Sequence, residues 1–261
     1  MTFDNALSRF LSKNTVRKSA EMPVFHSTSA YSARRILFDN VINPQSCNVF
    51  QNEKLTYLFY GRPSYKRESR SQITKYWQLP AVFLFDYKVS RYKRIFPFDT
   101  GAFENGIYPE FFGMMPRNEY DTGSMPDSPS RLVSSFFVDC ERFFKLSPRD
   151  KKDFDSRFET TAVDEEIHAL YELIVSYSEK IDDRRFSIEL QTEHEIHLSD
   201  GACKALIIPE EYLESDELVD KCDKMGIEVL SYPSFPLKQE MYYYHIYNII
   251  FELYKEWGIA R

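Results

Sequence analysis

A chain of 261 residues with 43% hydrophobic and 16% aromatic residues has the apolar surface for a sizeable core, in one large domain or two small ones. Its four cysteines (Cys47, Cys140, Cys203, Cys222) are scattered with no CxxC, which argues against a zinc site or disulfide framework and fits a reducing, cytoplasmic setting. The net charge of −7 argues against indiscriminate nucleic-acid binding, yet it is unevenly spread: the first hundred residues carry 16 Lys and Arg against 7 Asp and Glu, the remainder 17 against 33. A basic half can still face phosphates, or the two halves can neutralise each other across an interface.

The first twenty residues hold no secretory h-region and no run of membrane-spanning length. Phe3, Leu7, Phe10 and Leu11 have helical spacing, so residues 1–22 read as an N-terminal helical extension docked on the body. The main domain is expected over 23–235. It opens with a short strand at 24–26, a helix near 30–39 and a turn around Asn43-Pro44-Gln45-Ser46. Leu55–Tyr60 is a second strand, broken by Gly61-Arg62-Pro63, and Ala81–Phe85 a third, apolar enough to be buried on both faces. Residues 99–132, with four glycines and four prolines and no period, read as a long loop or lid. A helix is expected over 161–180, then strand alternation from Phe186 to Leu198, with Ile188, Leu190, Ile196 and Leu198 on one face and Glu189, Gln191, Glu193, Glu195 and His197 on the other. A buried strand at 204–209, a helix near 215–224 and a strand at 227–232 precede a C-terminal helix within 236–261. The balance is α+β.

Three segments carry the chemistry. Val24-Phe25-His26-Ser27-Thr28-Ser29 leads through Ile36-Leu37 to Asn40, a residue tolerant of a left-handed helix stop, and Val41-Ile42 then extends again. Residues 57–65, Tyr-Leu-Phe-Tyr-Gly-Arg-Pro-Ser-Tyr, pair a tyrosine strand with a turn holding Ser and Tyr. Gln191-Thr-Glu193-His-Glu195-Ile-His-Leu198 places glutamates beside a strand. In this order the segments resemble the His-Tyr-Glu motifs of ADP-ribosyltransferases, both the poly(ADP-ribose) polymerase and diphtheria-toxin group and the bacterial nucleic-acid-modifying toxins. Ser27 stands where that family usually has Gly.

The resemblance implies a split α+β fold of two small packed sheets with flanking helices, and NAD as the substrate. It implies that His26 bonds the adenine-side ribose, that the Ser27 backbone holds the nicotinamide amide, and that Thr28 fills the hydroxyl position. Tyr57 and Tyr65 would clamp the nicotinamide ring with Ser64 beside its amide, and Tyr60 competes with Tyr57 for that role. Glu193 would stabilise the cation that develops on the ribose, with Glu195 next in rank and Glu189 third; aiming fixed charge at developing charge is a large catalytic term. Transfer of a single ADP-ribose to a macromolecule is expected, with RNA or DNA favoured over protein because Arg62, Lys66 and Arg67 lie in the basic half and aromatics interleave with them. Such family members often act as toxins or antiphage effectors paired with a neutralising antitoxin protein.

Duller readings attach to each part. A strand histidine, paired tyrosines and a glutamate face are each more often core or solvated surface than site. His194 and His197, three apart on a strand, face opposite ways and do not suggest a metal. A rival reading keeps the fold as a non-catalytic binding protein. Another, an RNA 2′-phosphotransferase-like enzyme, is disfavoured by the acidic third segment.

Overall fold

The computed structural model describes residues 5–14, 18–64, 75–176, 183–199, 201–235 and 241–261. The N-terminal helix α1 (Ala6–Lys13) is capped by Asn5, whose side chain accepts from Ser8 N. Strand β1 (Val24–Ser29) leads directly into α2 (Ala30–Asp39), because Ser29 caps the helix by accepting from Ser32 N. Such a cap stabilises a helix by about 1 kcal/mol. Ala30, Ala33 and Leu37 recur at helical spacing and are its buried stripe. Asn40 ends it in the left-handed region at φ 60°, as the sequence predicts.

Short strands β2 (Val41–Ile42) and β3 (Gln45–Ser46) precede β4 (Lys54–Tyr60), β5 (Pro80–Phe85) and β6 (Arg94–Phe96). The six residues of β5 are all buried, as expected of a central apolar run. Helices α3 (Thr100–Glu104), α4 (Glu110–Gly113), α5 (Ser128–Phe136), α6 (Cys140–Phe144), α7 (Lys151–Arg157) and α8 (Glu165–Val175) follow. The chain ends with β7 (Glu189–Thr192), β8 (Ile196–His197), β9 (Cys203–Pro209), α9 (Asp216–Met225), β10 (Glu228–Tyr232) and α10 (Tyr242–Glu256).

The main sheet has the order β10-β9-β5-β1-β4-β7-β6, with β3 beside β4, and β2 and β8 form a separate two-stranded sheet. All pairs are antiparallel except β9 with β10, which α9 connects as a crossover. The architecture is therefore mixed α and β, with one large and one very small sheet rather than two of similar size. One pairing matters for function. β1 pairs with β5 along its whole length but with β4 only at Val24–Tyr60 and Phe25–Phe59. Beyond Phe25 the β1–β4 ladder ends.

Two expectations change. Residues 99–132 are not one long loop: Asp99 caps α3, α4 follows, and Phe112 and Tyr120 are fully buried. The expected strand from 186 to 198 breaks at Glu193-His194-Glu195, because β7 stays on the main sheet while β8 pairs with β2. The N-terminal helix docks as anticipated: Phe10 meets the rings of Phe136, Phe154 and Phe158 at 5.3–6.0 Å. No helix among the described residues is long and apolar enough to cross a membrane.

Gly61 ends β4 at φ 73°, and its carbonyl accepts from Tyr254 Oη of α10 at 2.7 Å. A Cβ there would lie 2.8 Å from both Met22 Sδ and Phe143 Cε1. Gly61→Ala is expected to destabilise the fold by about 2 kcal/mol through left-handed strain plus overpacking, read as a lowered denaturant midpoint.

Candidate functional site

The place where β1 and β4 part is organised by backbone alternation. Pro23 O accepts from Gly61 N, so Pro23, Phe25 and Ser27 turn their peptide groups toward β4. Tyr60 N donates to Ile188 O on the other side, so Phe59 and Tyr57 turn theirs toward β1. Ser27 and Tyr57 thus face each other across a gap that no ladder closes. His26 spans it: Nδ1 lies 3.1 Å from Tyr57 O. A carbonyl only accepts, so Nδ1 carries the proton. Burial lowers the His26 pKa from its ordinary 6.5, opposed by the Tyr57 hydrogen bond. A neutral ring protonated at Nδ1 leaves Nε2 as an acceptor for a ligand hydroxyl. On the two flanking strands Ser27 Oγ and Thr56 Oγ1 are buried without a hydrogen-bond partner among the described residues, an arrangement native proteins seldom leave unanswered. Thr28 is half-buried on β1, two residues beyond His26.

Tyr57 and Tyr60 part company. Tyr57 is half-buried and its hydroxyl lies 2.8 Å from Cys47 Sγ. Burial, then the Cys47 bond, pushes its pKa well up, so it stays a neutral phenol. Tyr60 is 1% exposed, accepts from Met22 N at 2.9 Å and meets Tyr87 edge-on, so it is core. Ser64 lies past the far end of β4, bonded to Ser187. Arg62 is 2% exposed, ion-paired with Asp183 at 3.1 Å and stacked on Tyr247, leaving no surface from which to meet a phosphate. Tyr65, Lys66 and Arg67 lie outside the described residues.

The third segment returns to the same end of the sheet. Thr192 pairs with Thr56, and Glu193 follows it. Glu193 is exposed and held by Lys93 Nζ at 2.8 Å, which keeps its carboxyl below the usual range. Glu195 is exposed, 3.8 Å from His197. β8 then pairs with β2, Ile196 opposite Ile42 and His197 opposite Val41, while Leu198 N donates to Asn40 O. The three segments close a ring: first to second through His26 and Tyr57, second to third through β4 and β7, third to first through β8 and β2.

In the sequence Glu189 is the third-ranked glutamate, and Gln191, Cys47 and Asp99 carry no signal of a site. Buried polar residues at alternate strand positions look the same as a solvated face. Glu189 lines a cavity of about 420 Å³ with Tyr57, Cys47 and Asp99. It accepts from Thr100 N at 3.0 Å, Thr100 Oγ1 at 2.7 Å and Gln191 Nε2 at 2.7 Å. Gln191 Oε1 in turn accepts from Arg94, which grips Glu53, and Lys93 bridges Glu53 to Glu193. A continuous polar chain therefore links the exposed Glu193 to the buried Glu189.

Burial first, then the charge of Asp99, pushes Glu189 up to about 8 from 4.5. The unfolded chain sheds this proton before the native one does. Stability from this group is thus fully present at acid pH and declines as pH rises from about 4.5 to about 8. In Glu189→Gln that decline should vanish, read from thermal midpoints at about pH 5 and about pH 9. Parallel pH curves for the two proteins would rule the assignment out.

No protein-family model, curated protein or solved structure matches this chain.

Proposed function

We propose that the chain is an NAD-consuming mono-ADP-ribosyltransferase acting on a macromolecular acceptor, a nucleic acid by preference, with the split between β1 and β4 as the NAD cleft of an ADP-ribosyltransferase-like fold. The observation that carries this reading is the closed ring in which His26, the Thr56–Tyr57 end of β4 and residues 192–198 come together. A chance resemblance of three separate motifs has no reason to converge on one end of one sheet.

In this reading His26 Nε2 accepts a ribose hydroxyl. The Ser27 peptide, turned toward the open side of the gap, donates to and accepts from the nicotinamide amide. The Tyr57 ring projects from the sheet face opposite His26, toward Cys47 and Glu189, so Tyr57 serves the ribose side through its carbonyl, which orients His26. Its hydroxyl is held by Cys47, which fixes the ring. The ionised Glu193 offers negative charge as the nicotinamide–ribose bond breaks and positive charge grows on the sugar. Ser64, past the far end of β4 and bonded to Ser187, takes no part in this cleft, and Tyr65 lies outside the described residues.

The test is incubation of the purified chain with labelled NAD and, separately, single-stranded DNA, RNA and lysate protein, beside Glu193→Gln. Label reaching one acceptor, and lost in the variant, is the expected result. No nicotinamide release in any arm would overturn the reading and favour a binding protein on the same fold.

A further inference from the structure

The segment from Asp86 to Lys93 connects β5 to β6 and must cross β1, β4 and β7 to do so. Tyr87 lies against Tyr60 with ring centroids 5.4 Å apart, and Ser90 Oγ lies 2.8 Å from Thr192 Oγ1. The crossover therefore runs over the face to which Tyr60 and Thr192 project. Val24 pairs with Tyr60, so by alternation His26 belongs to that face too.

Under the crossover lies a cavity of about 670 Å³, within the range that holds a small ligand. Tyr60, Tyr87 and Tyr92 wall it. Their hydroxyls are spent on backbone: Tyr60 accepts from Met22 N, Tyr87 donates to Pro126 O at 2.6 Å, and Tyr92 donates to Tyr87 O. The rings are locked: Tyr60 and Tyr87 are buried, and Tyr92, packed on Tyr87 at 5.3 Å, is the half-buried ring at the cavity wall. The rim is charged. Lys18 and Arg131 hold Asp127, and Lys88, 83% exposed, reaches Glu21 only at 4.0 Å. Arg91 is exposed and has no ion pair among the described residues. With Asp127 held by Lys18 and Arg131, Lys88 and Arg91 face the one remaining rim carboxylate, Glu21, and leave the rim positive. At one end the cavity reaches Ser90, whose partner Thr192 immediately precedes Glu193.

We propose that this cavity is the acceptor site, taking one base of a single-stranded nucleic acid against Tyr92 with the flanking phosphates on Lys88 and Arg91. Rigid rings bind any base by its flat face, and the cations track the backbone. The link to Glu193 rests on the transferase reading; strand binding does not. In the transfer, the nicotinamide–C1′ bond breaks and its electron pair leaves on nicotinamide. A base nitrogen supplies the pair for the new bond to C1′, and its proton passes through Glu193 to solvent.

The test is fluorescence anisotropy of the full chain with a short labelled single strand, DNA in one arm and RNA in the other, across a salt series. Lys88→Glu with Arg91→Glu is expected to weaken binding at least about tenfold and to flatten the salt slope by about 1.4, two contacts at roughly 0.7 each. Tyr92→Leu should weaken it about fivefold or more through lost stacking. The exposed control Lys224→Glu should bind as wild type. A wild type that binds neither strand, or a charge reversal that leaves affinity and slope unchanged, overturns the proposal. Both reversed residues are exposed, so the double variant stays informative if Tyr92→Leu misfolds. Nicotinamide release on the same samples separates the two ideas. Strand binding with these losses but no release sinks the transferase alone, and release without strand binding sinks the acceptor site alone.

Discussion

Glu193→Gln is expected to lower ADP-ribose transfer by about 10²–10³-fold, the scale on which one aimed electrostatic group is worth in acyl- or glycosyl-type transition states. NAD affinity should stay within about twofold, because a group that acts on charge developing in the transition state contributes little to ground-state binding. The expected effect is electrostatic. Lys93 Nζ at 2.8 Å holds Glu193 below the ordinary carboxylate range, so it is ionised throughout the neutral region. Its position is fixed by β7, whose Thr192 pairs with Thr56 one residue before Tyr57. Gln keeps the shape and still accepts from Lys93 but carries no charge. The residue is exposed, so the loss cannot come from unfolding, and matched thermal midpoints check that. Glu195 is the internal control. It is equally exposed but follows the turn, beside the β2–β8 pair. Full activity in Glu193→Gln with a dead Glu195→Gln would reverse the assignment within the pair.

The parts of this site legible in the sequence are those where local rules and tertiary packing agree. Ser29 and Asn40 bracket α2 because one caps and the other tolerates a left-handed stop, and the structure uses both that way. The β5 run is buried on both faces because it lies between β1 and β9. The misreadings arise where tertiary contacts decide. Helices α3 and α4 are five and four residues long, too short to show a period, and what fixes them is the burial of Phe98, Phe112 and Tyr120. Ile188, Leu190, Ile196 and Leu198 stay in phase across the polar run Gln191–Glu195, so the alternation reads straight through the turn at Glu193–Glu195, where pairing with β2 draws β8 off the main sheet. Arg62 reads as a surface cation because its partners, Asp183 and Tyr247, are more than a hundred residues away in the chain. Glu189 and Gln191 read as solvated for the same reason: Thr100 and Arg94, which satisfy them, come from other elements. The site's ring of contacts was visible only as an order of motifs, and β2 and β8, two residues each, are what tie its ends.

Replacing His26 should separate its two jobs. Its Nδ1–H bonds the Tyr57 carbonyl and spans the gap, while Nε2 is left as the acceptor that the proposed function gives to an NAD hydroxyl. His26→Asn can keep the first, since an Asn amide nitrogen occupies much the same place as Nδ1, but it has nothing at Nε2. His26→Ala loses both. NAD binding is therefore expected to fall about tenfold, roughly 1.4 kcal/mol, in both variants, and fold stability to fall further in Ala than in Asn. The wild type should add a pH signature. Burial lowers the native pKa of His26 beneath 6.5, so above that value the ring is neutral whether the chain is folded or not. As pH falls below 6.5 the unfolded chain takes up the proton first, and stability declines until the native ring protonates too. Protonation puts a hydrogen on Nε2 and removes the acceptor, so NAD affinity in the proposed reading should fall only as the native ring itself protonates, at the acid end of that range, and be flat above it. In His26→Asn both pH dependences should disappear. An Asn variant that binds NAD as tightly as wild type would show that the imidazole only braces the gap, and the ribose contact would then have to come from another group, such as the unpartnered Ser27 or Thr56 hydroxyl.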